Sequence, residues 1–224
     1  MLCHFQSHLH SQKALCIQPD LSQIRFQDFW QDVIQQSQAI ELLAQDSWAL
    51  WEPDSYQFLV LLFAALLAKK QVLLPPHRVS DLEKELAEQN IYFLQRQPVA
   101  ASHNQPIQLN LDDAFLNQAQ IYFYTSGSTG QPKKIPRSLR QLLNEVQGLD
   151  ASFQLPEQAI AIATVSHQHI YGLLFKLLWP LASGRCFYQA QLAFPEDVAD
   201  IQKKLSTFKI DNYVISSPAL LKRW

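Results

Sequence analysis

Residues 121–138 read Ile-Tyr-Phe-Tyr-Thr-Ser-Gly-Ser-Thr-Gly-Gln-Pro-Lys-Lys-Ile-Pro-Arg-Ser, and the rest of the chain is organised around them. Ile121 to Tyr124 reads as a short buried strand that runs straight into a loop of threonine, serine and glycine. The pattern resumes as a helix near Ser138. Gly127 and Gly130 can adopt positive φ and turn backbone N–H groups toward one point. Thr125, Ser126, Ser128 and Thr129 add hydroxyl donors, and Lys133 or Lys134 supplies a positive point charge. A loop with these parts after a strand is suited to holding a polyphosphate. It is not a Walker A loop, because counting from Gly127 the second glycine of that motif falls on Pro132. The plainer alternative is a solvated polar turn that carries lysines by chance.

With 224 residues, 48% hydrophobic and 11% aromatic, the chain can bury a sizeable core as one or two units. A net charge of −2 and a pI of about 6.4 offer no electrostatic case for nucleic acid or an anionic membrane. Cys3, Cys16 and Cys186 are an odd set with no C-x-x-C, which fits reduced thiols in a cytoplasmic protein. The first residues, MLCHFQSHLHSQ, have no basic stretch followed by an apolar one, so a signal peptide is not expected. His4, His8 and His10 have no acidic or thiol ligand beside them and read as a mobile polar start rather than a metal site.

Regular structure is expected from Ile24. Arg25 to Leu43 has helical apolar spacing, and Trp48 to Trp51 is a short strand closed by Pro53. Asp54 or Ser55 can cap a helix over about Tyr56 to Lys70 that is apolar nearly all round. It is too short for a bilayer, which needs about 20 residues, and reads as a buried helix on a sheet. Strand Val72–Leu74, helix Ser80–Gln89 with Ser80 and Glu83 in capping-box register, and strand Ile91–Leu94 follow. The stretch 95–120 is polar and irregular. Beyond the loop come a helix at 138–149, strand 159–165, helix 171–178 ending at Pro180, strand 185–189, helix 195–208 and strand 213–216. This alternation predicts an α/β fold of mostly parallel sheet layers flanked by helices. A last helix opens at Pro218 and stops at Trp224 after two turns, an ending expected of a fragment.

A second constellation, Ser166-His167-Gln168-His169-Ile170-Tyr171-Gly172, follows the strand candidate IAIATV. Ligands bind at the carboxyl ends of parallel strands, so two histidines there are well placed. Taken alone, H-x-H at a strand end is more often a hydrogen-bonded packing feature, and no third metal ligand accompanies it.

Thr125 to Lys133, TSGSTG-QPK, resembles the signature loop of the adenylate-forming enzymes: acyl-CoA synthetases, luciferases and the adenylation domains of peptide synthetases. The resemblance implies that Thr125, Ser126, Gly127, Ser128, Thr129, Gly130 and Lys133 hold the β- and γ-phosphates of ATP while a carboxylate attacks the α-phosphate. It gives Lys133 the charge on the leaving pyrophosphate. His169-Ile170-Tyr171-Gly172, with Pro180-Leu181 and Gly184 beyond, is similar to the family's P-x-x-H-x-x-G motif. That implies that His169 and Gly172 border the acyl pocket, although Ser166 stands where the family has proline. Val214 to Leu221 also resembles a strand-to-helix segment of acyl-CoA synthetases.

The resemblance covers most of the chain from Trp48. It implies that residues 24–224 are the N-terminal part of a large AMP-binding domain, with 1–23 as an extension. The family's magnesium-binding glutamate, its ribose-binding aspartate and its C-terminal lysine find no match and are expected downstream of Trp224. The chain is therefore expected to be a catalytically incomplete portion of an ATP-dependent acid–thiol ligase. The implied cofactors are ATP, Mg2+ and CoA or carrier-protein phosphopantetheine, and the partners are a carboxylic acid and free CoA or an acyl carrier protein. One alternative is a non-catalytic nucleotide-binding or interaction module derived from such a ligase, which would bind ATP alone and stay monodisperse, since a cut sheet should expose apolar surface. Another is a kinase or NTPase with an atypical loop, which would release γ-phosphate.

Overall fold

Among the described residues two five-stranded sheets form, each inside its own unit. The computed structural model describes Phe5 and residues 8–99, 109–125 and 133–222, with Thr125 and Lys133 described by backbone alone. In chain order the strands are β1 (Ala14–Ile17), β2 (Gln23–Arg25), β3 (Ser47–Ala49), β4 (Gln71–Leu74), β5 (Tyr92–Phe93), β6 (Gln120–Thr125), β7 (Lys133–Ser138), β8 (Ile160–Ala163), β9 (Cys186–Gln191) and β10 (Asn212–Ile215).

The unit Asp28–Leu142 holds the sheet β5-β3-β4-β6-β7, in which the first four strands are parallel and β7 is antiparallel to β6. Its densest element is the helix Ser55–Leu67, in which only Gln57 and Leu67 escape burial. The sequence is apolar all round because both sides of this helix are covered. Beside it runs β4. Phe63 also meets Phe29 and Trp30 of the helix Phe26–Glu41 edge-on, at 6.1 and 5.5 Å between ring centres. Asp54 starts the helix, its carboxylate accepting from the N–H groups of Tyr56 and Gln57 at 2.8 and 3.0 Å.

The capping box expected at the next helix, Ser80–Glu88, does not form. Ser80 already lies inside the helix, and the carbonyl of Val79 accepts from the Glu83 N–H at 3.0 Å. The Glu83 carboxylate turns outward and pairs with Arg78. The irregular stretch expected over 95–120 contains a short helix, Asp113–Gln118, capped by the Asp112 side chain.

The other unit, Met1–Gln27 with Leu143–Trp224, holds the sheet β10-β8-β9-β1-β2. Here too four strands are parallel and the last, β2, is antiparallel. Regular structure thus begins before Ile24, because Ala14–Ile17 is an interior strand paired with β9 on one side and β2 on the other. His8 packs on Gly184 and lies 5.1 Å from the Phe26 ring, in place of the mobile start read from the sequence; His10 is exposed. His4 lies outside the described residues. The helix Pro195–Thr207 sets Val198, Ile201 and Leu205 against Ile17, Ile160, Ile162 and Tyr188 of the sheet.

Pro180 does not end its helix. The helical path runs from Ile170–Gly172 through a π-helical stretch, Leu173–Leu178, into Trp179–Ser183. Pro180 lies at the start of that last segment, where a missing N–H is tolerated. The turn closes at Gly184, whose φ of 70° is the left-handed conformation that glycine adopts without a Cβ penalty.

Candidate functional site

The loop Thr125–Lys133 belongs to a hairpin. The sequence predicts a direct passage from loop to helix at Ser138, but Lys133–Ser138 pairs antiparallel with β6 over its whole length, from Thr125↔Lys133 to Gln120↔Ser138. The helix Leu139–Phe153 begins only after that strand. Lys-Lys-Ile-Pro-Arg-Ser lacks strand-like alternation, and its place at the sheet edge explains why. An edge strand has one side without a ladder, where Pro136 and several charges are accommodated. Thr125 and Lys133 thus form the terminal pair of the ladder, at the carboxyl end of the parallel strand β6. Ser126, Gly127, Ser128, Thr129 and Gly130 lie outside the described residues.

Beneath that end the hairpin is fastened to the helix Ser80–Glu88. Tyr122 and Tyr124 pack against a cluster of Ala49, Leu73, Leu86 and Ile91. Lys134, the partner of Tyr124 in the ladder, donates from Nζ to Gln89 Oε1 at 2.7 Å and lies 5.7 Å from the centre of the Tyr124 ring. The Tyr124 hydroxyl is buried with no hydrogen-bond partner among the described residues. Burial, with a smaller contribution from Glu85, pushes its pKa up to about 12. Of the two lysines that could face a phosphate, Lys134 is therefore engaged by its own unit.

In the other unit, β8 ends at Ala163 and the chain bends through Thr164–Ser166 into the histidine turn. His167 and Gln168 are buried there, while His169 is exposed. His169 sits at the N-cap of the helical path, its carbonyl accepting from the Leu173 N–H at 2.8 Å. One turn on, Gly172 comes so close to the bend that an added Cβ would lie 2.1 Å from the Ser166 carbonyl oxygen. The H-x-x-G spacing thus has a steric cause: the histidine opens the helix, and the glycine admits the backbone that leads into it. Ser166 makes the bend by a means other than proline, its hydroxyl accepting from the Gln168 N–H at 3.2 Å.

A polar network, buried at Thr164 and Ser216 and exposed at Tyr171 and Gln191, knits this carboxyl edge together. Thr164 Oγ1 donates to Ser216 Oγ at 3.0 Å, and the Thr164 carbonyl accepts from Gln191 Nε2 at 2.9 Å. The Tyr171 hydroxyl donates to the Ser216 carbonyl at 3.4 Å. From β8 the chain passes to β9 on one side, and from β9 it returns across β8 to β10 on the other. The boundary between β8 and β10 is where an open parallel sheet forms a crevice for ligands. Thr164 and Ser216 were given no role from the sequence, and Tyr171 stood there only within the histidine constellation. The legible signal for Thr164 and Ser216 was a polar residue directly after an apolar strand.

The ladder end at Thr125–Lys133 lies in one unit and His169 in the other, each on the carboxyl edge of its own sheet. Among the described residues no group of three or more His, Cys, Asp and Glu is placed to hold a metal ion. Likewise, no helix among them is long and apolar enough to cross a membrane.

Against known proteins, the model of a family described as AMP-binding enzyme matches residues 68–211. The chain is 35% identical over 72 residues to the medium-chain-fatty-acid–[acyl-carrier-protein] ligase JamA of Moorena producens (strain JHB), covering 32% of this chain and 12% of that protein. It is 31% identical over 104 residues to the 4-coumarate–CoA ligase of Rhodobacter capsulatus, 46% of this chain and 26% of that protein. Apo MatB from Rhodopseudomonas palustris matches 99% of this chain and 50% of its own, with a TM-score of 0.72 and 15% identity. The acyl-CoA synthetase of Brucella canis matches 99% of this chain and 48% of its own, with a TM-score of 0.73 and 14% identity. At such identities the structural likeness is one of fold. The chain spans about half the length of these solved structures and less of the two curated relatives. The family match extends over more than half of the chain, which belongs to the AMP-binding enzymes.

Proposed function

We propose that this chain supplies the phosphate-binding loop and one wall of the acyl site of an ATP-dependent acid–thiol ligase. A carboxylate oxygen attacks the α-phosphorus of ATP, the bond to the bridging oxygen breaks, and pyrophosphate leaves. The acyl group then passes from the acyl-adenylate to the thiol of CoA or of a carrier-protein phosphopantetheine, with AMP as the leaving group. One observation carries the reading: Thr125 and Lys133, the two ends of the serine- and glycine-rich sequence, pair as the last rung of a ladder at the carboxyl end of a parallel strand. There backbone N–H groups, the hydroxyls of Thr125, Ser126, Ser128 and Thr129, and Lys133 are suited to the β- and γ-phosphates. With Lys134 bound to Gln89, Lys133 is the lysine assigned to the charge of the leaving pyrophosphate.

His169, exposed beyond β8, is assigned to the border of the acyl site, and Gly172 supports it there. The names of the relatives, an acyl-carrier-protein ligase and a CoA ligase among them, support both thiol acceptors. Mg2+ would accompany ATP, and no step is assigned to it through residues of this chain. The test is ATP–pyrophosphate exchange by the protein that carries this chain, over a panel of aliphatic and aromatic carboxylic acids. Exchange is expected with at least one acid, and Lys133→Ala is expected to reduce it by about a hundredfold. Equal exchange by the variant would remove Lys133 from this role, and release of orthophosphate in place of pyrophosphate would overturn the ligase reading.

A further inference from the structure

We propose that Lys134 is a positioning residue that ties the outgoing strand of the hairpin to the helix Ser80–Glu88 and so sets the terminal Thr125–Lys133 pair. The proposal rests on the phosphate-binding reading of that loop. Lys134 is cross-strand partner to Tyr124, one step before the ladder ends. Its ammonium group makes two contacts in different directions. It donates to the side chain of Gln89 at 2.7 Å, and it lies over the Tyr124 ring at 5.7 Å. Gln89 is the C-cap residue of the helix, which is itself held on the sheet by Leu86. One side chain of the edge strand β7 thus reaches past β6 to a helix packed on the same sheet. An edge strand has a ladder on one side only, so a tether of this kind limits its fraying where the ladder stops.

Both contacts are exposed at Lys134, which bounds the effect to a few-fold change rather than a loss of folding. The chemistry required is a cation of sufficient reach, which methionine of similar length does not supply and arginine does. This separates positioning from simple filling of space.

The test compares wild type, Lys134→Ala, Lys134→Met, Lys134→Arg and Gln89→Ala by calorimetric titration with MgATP. Thermal unfolding and amide exchange at residues 134–138 are followed on the same samples. Lys134→Ala and Lys134→Met are expected to weaken MgATP binding by about three- to tenfold, with the unfolding midpoint moved by less than about 2 °C. Lys134→Arg is expected to restore binding, and amide exchange across β7 to quicken only in the variants that bind more weakly. Wild-type affinity in Lys134→Ala, or equal losses in the arginine and alanine variants, would overturn the proposal. If wild type itself does not bind MgATP, the phosphate reading of the chain fails. The tether is then decided by exchange alone, and unchanged rates in Lys134→Ala would refute it.

Discussion

The two units share one sheet plan, four parallel strands closed by one antiparallel edge, yet they bury different chemistry. In the unit with the β6–β7 hairpin, the described buried polar side chains are Gln36 and Ser55, beside a helix that is almost wholly apolar. In the unit with the histidine turn, Thr164, His167, Gln168, Lys176, Arg185 and Ser216 are all buried. The phosphate site proposed above would use backbone and hydroxyl groups carried by residues 125–133 themselves, and so asks for no buried polar side chains in the base of its unit. Polar side chains taken into the core at a sheet edge cost stability wherever a hydrogen bond is left unmade. Arg185, at the amino end of β9 and so at the opposite edge from the histidine turn, is also held by bonds: its guanidinium donates to Asp150 and to the carbonyls of Leu155 and Pro156, at 2.7 to 2.9 Å.

Substitutions in the two units should therefore behave differently, and the largest effect is expected at the histidine turn. Gly172→Ala places a Cβ against the Ser166 backbone and is expected to cost about 3 kcal/mol in denaturant unfolding. Gly148 is a helical glycine whose added Cβ would meet nothing within 4 Å, and Gly148→Ala should be neutral or stabilise by up to about 1 kcal/mol. Similar values for the two would mean that the close approach at Gly172 is not a constraint.

A smaller effect sharpens the contrast in buried charge. Lys176 is fully buried and donates to the Gln189 carbonyl at 2.9 Å. Lys176→Met should change stability by about 1 kcal/mol or less, since removal of the ammonium's desolvation penalty offsets the lost bond. A loss of several kcal/mol would show that this unit depends on the charge itself.

The smallest effect lies beside the hairpin. Tyr124→Phe removes a hydroxyl that has no hydrogen-bond partner among the described residues and should leave stability at pH 7 unchanged. The phenol titrates at about 12 in the folded chain against an ordinary value of 10.0, so the folded state holds its proton longer than the unfolded one. Stability is fully present below pH 10 and falls as pH rises toward 12. The variant should lose less stability than wild type over that window, and parallel pH profiles would show that the phenol is not perturbed.

Much of this was legible in the chain. The helix Ser55–Leu67 announced itself through an unbroken apolar run after a capping aspartate, and both were found. The alternation of strands and helices predicted parallel sheets, which the strand pairings bear out. Two antiparallel strands, β2 and β7, were not foreseen. Neither Gln-Ile-Arg nor Lys-Lys-Ile-Pro-Arg-Ser has a pattern of its own, and each becomes a strand only through the partner beside it. The candidate site divides in the same way. The residue types suited to phosphate and the H-x-x-G spacing stand in the sequence, whereas the packing of Gly172 on Ser166 and the hold of Gln89 on Lys134 do not.

What the sequence alone determined is local: the Asp54 cap, apolar runs, a serine- and glycine-rich stretch, and histidine and glycine one helical turn apart. Each depends on neighbours within a few residues, where hydrogen bonds and rotamers are set by the chain itself. Only the tertiary structure decided where the sheets end, that Ala14–Ile17 lies inside one of them, and that Lys134 is engaged by Gln89. Those outcomes depend on pairings between distant segments, and a strand edge or a buried polar atom acquires its meaning from the group that comes to lie opposite it.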